Sequence, residues 1–177
     1  MSGRNRTILR IDASMRRQKS VSRMLADEMV AALGARKHGV TLTNRDLAAG
    51  IGIVNSAWIE AERTTEEHRT PDQRALLAQS DALVAELQAA DDIVIATPMY
   101  NFSVPAALKA WIDLICRDKT TFVYENDVSR GLLSNKQATV IITSGGTVSG
   151  NDVDYATGYI RHILEFIGVK DVTIIDV

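Results

Sequence analysis

The stretch Asp91–Cys116, DDIVIATPMYNFSVPAALKAWIDLIC, decides the fold. Asp92–Ala96 (DIVIA) is apolar without polar alternation, which is the pattern of a strand buried on both faces of a parallel sheet. Pro105 then opens a helix whose apolar side carries Leu108, Trp111, Ile112 and Ile115. Between them the chain surfaces through Pro98, Met99, Tyr100, Asn101 and Phe102. Large apolar groups at the end of a strand either cap a core or hold something flat.

Outward from this unit the same alternation repeats. Ala138–Thr143 (ATVIIT), Val172–Ile175 (VTII) and Thr7–Ile11 (TILRI) read as further strands, and Thr41–Arg45 (TLTNR) as a weaker one. Ser22–Gly34 carries a helical stripe of Leu25, Met29, Ala32 and Leu33. Thr70 fits an N-cap, Pro71 the first helical position and Gln73 the return partner of a capping box. Leu76, Leu77, Leu83, Val84 and Leu87 are the expected buried side of that helix. Asp154–Ile167 carries Tyr159, Ile160, Ile163, Leu164 and Ile167. Residues 50–69 fit less well and predict an excursion with a short helix around Trp58.

Strands alternating with helices of this length imply βαβ crossovers. The expected fold is α/β: a doubly wound, five-stranded parallel sheet in the flavodoxin-like order 2-1-3-4-5, with helices on both faces. No repeat, linker or low-complexity tract divides residues 1–177, so one domain is expected. The sequence stops at Val177, directly after the last strand, where such folds usually add a helix. Either apolar surface is left for a partner subunit or the other helices suffice.

Composition narrows the function classes. The 177 residues are 46% hydrophobic and 24% charged, with a formal net charge of -2. That gives no global electrostatic reason to bind nucleic acid or an anionic membrane. No apolar run approaches the roughly 20 residues that span a bilayer. The opening MSGRNRTILRID is too short and too quickly charged for a secretory signal. A single cysteine, Cys116, allows no internal disulfide, and a cytoplasmic location is expected. Cys116 sits on an apolar helix side and reads as a core thiol; nothing pairs it with His38, His68 or His162.

In an open α/β sheet, ligands bind beyond the carboxyl ends of the strands at the point where the winding reverses. Three loops meet there. Asp12–Ser22 (DASMRRQKSVS) holds the serines Ser14, Ser20 and Ser22 and the cations Arg16, Arg17 and Lys19. Free N–H groups at a helix start, with hydroxyl donors, suit a phosphate. Equally, Ser20 or Ser22 is a plain N-cap. Thr97–Ser103 offers Tyr100 and Phe102 to the face or edge of a ring and the Asn101 amide to its rim. Thr143–Gly150 (TSGGTVSG) offers Gly145 and Gly146, which allow close backbone approach or form a tight turn. Together the three loops suit a flat heteroaromatic ring with a phosphate tail.

Rival motifs are missing from the sequence. There is no G-x-x-x-x-G-K-[ST], no G-x-G-x-x-G after the first strand and no G-x-S-x-G. No Cys/His cluster has metal-ligand spacing. A receiver domain needs an acidic cluster at the strand ends, for which Asp12 alone is a poor substitute.

With these residues in view, the chain resembles the FMN-dependent NADH-azoreductases, a family of flavodoxin-like NAD(P)H:quinone oxidoreductases. The match rests on PMYNF at Pro98–Phe102 followed by PAALKAW, and on the spacing from Ser14 to Ser20-Val21-Ser22. SGG at Ser144–Gly146, TF at Thr121–Phe122 and FIG at Phe166–Gly168 add to it. The resemblance implies bound FMN, reduced by NADH or NADPH and reoxidised by a quinone or azo compound in a ping-pong cycle. It also implies a homodimer. By the same resemblance Ser14, Ser20, Val21 and Ser22 hold the phosphate, and Pro98, Met99, Tyr100, Asn101 and Phe102 line the ring. Ser144, Gly145, Gly146 and Thr147 close its other rim, and Phe122 lies over it from a neighbouring region or subunit as a substrate-binding residue. The family's Ser-x-Gly-Gly is SGGT here, and the small residues usual before TF are Asp118 and Lys119.

No side chain stands out as a catalytic acid or base. Two other functions fit the fold: a non-enzymatic flavodoxin-like electron carrier and a flavin-free interaction protein. Carriers usually present an acidic docking face, and the Arg16-Arg17-Lys19 loop is basic.

Overall fold

The computed structural model describes residues 5–35 and 39–177; His38 lies outside them. Five parallel strands form the main sheet: β1 (Arg6–Asp12), β2 (Val40–Asp46), β3 (Asp92–Pro98), β6 (Gln137–Thr143) and β7 (Asp171–Asp176). Their order is β2-β1-β3-β6-β7. β3 lies at the centre, and Asp92–Thr97 are all buried. The edge strands β2 and β7 alternate between exposed and half-buried positions, as edges with one solvated side do.

The helices are α1 (Val21–Ala35), α2 (Ser56–Arg63), α3 (Pro71–Ala89), α4 (Ala106–Ile115) and α5 (Thr157–Phe166). They cover the two faces unequally. Leu9, Ile11, Ile93, Ile95, Val140 and Ile142 form one core with residues of α2, α3, α4 and α5. Ile8, Val94, Ala96 and Ile141 meet only α1, through Leu25, Ala26, Met29, Val30 and Leu33. On that face β6 and β7 also bring Thr139, Thr173 and Ile175, and only Ile175 of these is apolar. Thus the bare apolar surface expected beyond α1 is small among the described residues.

Local signals explain most boundaries. Thr70 Oγ1 accepts from Gln73 N at 3.2 Å and Gln73 Oε1 from Thr70 N at 3.0 Å, which completes the expected capping box. Asn55 caps α2 through Trp58 N, so the excursion over 50–69 does contain its short helix. Leu108, Trp111, Ile112 and Ile115 are all buried.

Two expectations need correction. Ala32 is exposed, because the buried row of α1 runs through Ser22, Ala26, Met29 and Leu33 and Ala32 falls about a third of a turn away. Leu76 is 41% exposed although it lies one heptad before the buried Leu83. Helical spacing fixes the direction of a side chain, not whether a neighbour reaches that far along the axis. A hairpin that was not anticipated joins α4 to β6: β4 (Phe122–Glu125) pairs antiparallel with β5 (Val128–Gly131). Its two turn residues, Asn126 and Asp127, both have positive φ, the geometry of a tight two-residue hairpin turn. Gly131 docks the hairpin. A Cβ there would come within 2.1–2.4 Å of the Ile167–Gly168 backbone, so no other residue fits without moving main chain.

No described helix is long and apolar enough to cross a membrane.

Candidate functional site

At the carboxyl ends of β1, β3 and β6 two hollows adjoin. One of about 520 Å³ is lined by Ser14, Arg16, Lys19, Ser20, Val21, Pro98, Met99, Tyr100, Thr143, Ser144, Gly145 and Val177. The second, about 330 Å³, is lined by Met99, Asn101, Phe102 and Ser144–Thr147. Met99, Ser144 and Gly145 belong to both, so the two form one continuous groove. Such volumes are in the range of small-molecule sites.

The first loop bends on its own hydroxyls. Arg16 N donates to Ser14 Oγ at 3.2 Å, and the Ser20 and Ser22 hydroxyls lie 3.2 Å apart in a hydrogen bond. Arg16 and Lys19 line the groove, whereas Arg17 turns away to donate to the Ala48 carbonyl at 3.0 Å. Lys19 has φ +56°.

The second loop is a tight turn. Tyr100 N donates to Ser103 O at 2.9 Å and Ser103 N to Tyr100 O at 3.1 Å. The two residues between them, Asn101 and Phe102, have φ +49° and +67°. Asparagine tolerates this region, but phenylalanine does so at a cost of about 1–3 kcal/mol. Tyr155 N donates to the Phe102 carbonyl at 3.0 Å and fixes the turn from outside. Phe102 remains 53% exposed and Tyr155 64%.

The third loop closes on Ser144, whose hydroxyl donates to Thr147 O at 2.6 Å and accepts from Gly146 N at 3.3 Å. Met99 N donates to Thr143 O at 2.8 Å and ties this loop to the second. Gly146 takes φ +134°; Thr147 does not have positive φ, so threonine there carries no left-handed strain. A Cβ on Gly145 or Gly146 would meet no protein atom, so the space that these glycines leave open belongs to solvent or a ligand.

Of the residues read from the sequence, Ser14, Ser20, Val21, Pro98–Phe102 and Ser144–Thr147 come together on the groove. Ser22 is 1% exposed and reaches it only through Ser20. Phe122 does not join them. It packs on Phe166 at 4.5 Å and against Tyr124 at 5.8 Å, beside the hairpin. A position over its own groove from a neighbouring region is therefore corrected. The hairpin holds it against Phe166, and it does not line the groove of its own chain. Arg16 and Lys19 were noted as cations but not assigned to the site, although their place on the first loop was the signal for it.

A larger cavity, about 880 Å³, lies at the opposite ends of the strands, among Arg6, Arg130, Lys136 and Glu165. Three of its four lining cations are engaged by other groups, and Lys170 is the fourth. Arg6 pairs with Asp92 at 2.6 Å, Arg130 with Glu125 at 2.7 Å, and Lys136 donates to the Gln88 and Ala90 carbonyls. The carboxyl-end groove is smaller, yet it is where loops of different strands converge, and we place the site there.

The groove fits the chemistry of FMN. One end presents hydroxyls and two cations; the other presents aromatic and apolar side chains with open backbone. Among the described residues, no group of His, Cys, Asp or Glu is arranged to hold a metal ion.

Residues 6–177 match the family described as having a flavodoxin-like fold. This chain belongs to that family. The flavodoxin-like chain is 52% identical over 168 residues to an FMN-dependent NADH:quinone oxidoreductase 1 of Jannaschia sp. (strain CCS1), covering 95% of itself and 85% of that relative. It is 50% identical over 169 residues to a protein of the same name from Colwellia psychrerythraea, covering 96% and 88%. Its fold matches the crystal structure of an FMN-dependent NADH-azoreductase from Bacillus anthracis in complex with FMN. That match has a TM-score of 0.85 at 23% identity and covers 96% of this chain and 86% of the other.

Proposed function

We propose that this chain is an FMN-dependent oxidoreductase that passes electrons from NADH or NADPH to quinones or azo compounds by a ping-pong mechanism. It works in the cytoplasm as a homodimer, with residues 1–177 forming one FMN-binding domain. The observation that carries this reading is the continuous groove, with phosphate chemistry at one end and ring chemistry at the other. The names of five relatives at 42–52% identity support the same activity.

When bound, FMN would supply the redox chemistry, two-electron transfer between a nicotinamide and an acceptor. The chain's own residues bind and orient. Ser14 and Ser20, with the free N–H groups at the start of α1, receive the phosphate; Ser22 holds the Ser20 hydroxyl from behind, and Val21 contributes its backbone N–H there. Arg16 and Lys19 add positive charge at the same end. Pro98, Met99, Tyr100 and Phe102 give apolar surface to the ring, and the Asn101 amide both donates and accepts at its rim. Ser144, Gly145, Gly146 and Thr147 bring main-chain donors close without side-chain bulk. No side chain is assigned as acid or base, since hydride transfer needs none.

Support for pairing comes from exposure. Phe102, Tyr155 and Val148 leave an apolar rim around the groove, while Phe122 sits on a different part of the molecule. A second copy can cover the rim and bring its Phe122 to it. The carrier alternative gains nothing from the site, because its mouth carries Arg16 and Lys19 rather than carboxylates.

Steady-state kinetics on the FMN-reconstituted protein test the reading. Varying NADH at several benzoquinone concentrations should give parallel double-reciprocal lines. Absence of NADH and NADPH oxidation with bound FMN would overturn it in favour of a carrier.

A further inference from the structure

Beneath the serine loop lies a group of charged side chains with no direct place in the groove. β1 and β2 run in a register that sets Asp12 opposite Asp46, so two carboxylates stand side by side at the strand ends. Arg23, from the first turn of α1, sits between them. Its Nη2 is 2.6 Å from Asp46 Oδ1, and its Nη1 is 3.6 Å from Asp12 Oδ2. The same Nη2 donates to the Ser14 carbonyl at 2.7 Å. Arg10 supports the arrangement from below. Its Nε is 3.0 Å from Asp12, its Nη1 pairs with Asp27 of α1, and its Nη2 donates to the Arg23 carbonyl at 2.9 Å. Arg10 and Asp12 are 9% and 7% exposed, and the Arg23 side chain 13%.

Burying this many charges costs solvation that ion pairing rarely returns in full. Here Asp12 Oδ1 and Arg23 Nε also lack hydrogen-bond partners. The arrangement is thus a poor device for stability alone. Its effect is geometric. One guanidinium joins Ser14, where the loop begins, to α1, where it ends, and both to the end of β2. A planar fork of donors satisfies several acceptors at fixed angles, whereas the three donors of an ammonium rotate about a single point. The charge of Arg23 is already matched by Asp12 and Asp46, so it adds little net attraction for an anion.

We propose that Arg23 is a positioning residue for the cofactor phosphate. Without touching it, Arg23 holds Ser14 against the start of α1 so that the loop's hydroxyls and N–H groups converge on one point. This rests on the FMN reading above.

The test is a pair of fluorescence titrations of the apo-protein, with FMN and with riboflavin, which lacks the phosphate. Wild type is measured first; failure to bind FMN there overturns the functional reading itself and this role with it. Given wild-type binding, Arg23→Gln and Arg23→Lys should each lower the ratio of FMN to riboflavin affinity at least ten-fold. Riboflavin affinity should change less than two-fold. A residue that matters only for stability would lower the unfolding temperature and leave that ratio alone. Arg23→Gln leaves a buried carboxylate with one partner fewer and risks unfolding, so the milder Arg23→Lys decides. A wild-type ratio in Arg23→Lys would show that charge, not the fork, is sufficient, and would overturn the proposal while the FMN site stood.

Discussion

The two ends of the groove are built by opposite means. At the serine end the chain uses buried charge: Arg10, Asp12 and Arg23, with the half-buried Asp46, lock the loop from underneath, within one copy. At the Tyr100–Phe102 end it uses a strained turn, and the side chains it raises stay open to solvent. An anion needs donors fixed in advance, because its hydration is lost on binding and must be replaced at once. A flat apolar ring and a changing acceptor need surface, which can be completed by a second molecule. Thus the first end is braced from within the chain, and the second presents open surface.

The largest effect should come from separating two copies. Light scattering at micromolar concentration should give twice the 19.4 kDa chain mass. Phe122→Ala, which removes a half-buried ring that does not line its own groove, should lower quinone turnover with little loss of FMN affinity. A mass of 19.4 kDa with full turnover would break the comparison, since the open end would then be complete alone.

Next comes Asn101. Asn101→Ala loses the amide and places a residue with a Cβ but no local hydrogen bond at φ +49°. Left-handed strain of about 1–2 kcal/mol, added to the lost contact, should weaken FMN binding ten-fold or more. Asn101→Gly tolerates the same backbone and loses only the amide. If it binds FMN as wild type does, the turn is what matters and the amide assignment fails.

A smaller effect lies in acid. Arg23's hydrogen bond holds the Asp46 carboxyl below its ordinary value of 3.8. Its stabilisation is therefore fully present above that value and is lost as pH falls through the lower, folded-state one. Burial pushes Asp12 the other way, against the pull of Arg10 and Arg23. Asp12 thus favours the native state in acid and loses that contribution as pH rises. Urea midpoints from pH 5 down to pH 2 should show a shallower acid limb in Asp46→Asn than in wild type. An unchanged limb would mean that the pair with Arg23 does not persist in solution.

The smallest effect is expected at Cys116. Burial pushes its thiol up to about 11, so almost none is thiolate at pH 8. Iodoacetamide at pH 8 should leave turnover unchanged; rapid alkylation with loss of activity would place a reactive thiol where a core one is described.

Sequence made the groove's residues legible and their support invisible. Asp92–Ala96 announces a central strand by composition, and Thr70, Pro71 and Gln73 announce a helix start by spacing. Both are local patterns, and local patterns survive translation into structure. The tie between Ser14, Arg23 and Asp46 depends on β1 and β2 lying in one register, which no window of sequence contains. The β4–β5 hairpin was missed for a different reason: its two strands have four residues each, and Asn126-Asp127 was the available signal. That hairpin is also what carries Phe122 away from its own groove, so missing it left open a role that the fold removes.

The most direct test of the central claim is an anaerobic visible spectrum of the FMN-loaded protein before and after NADH. The flavin band should bleach, and a quinone should restore it. A protein that takes up FMN and keeps its colour under excess NADH and NADPH, or that takes up no FMN at all, contradicts that claim.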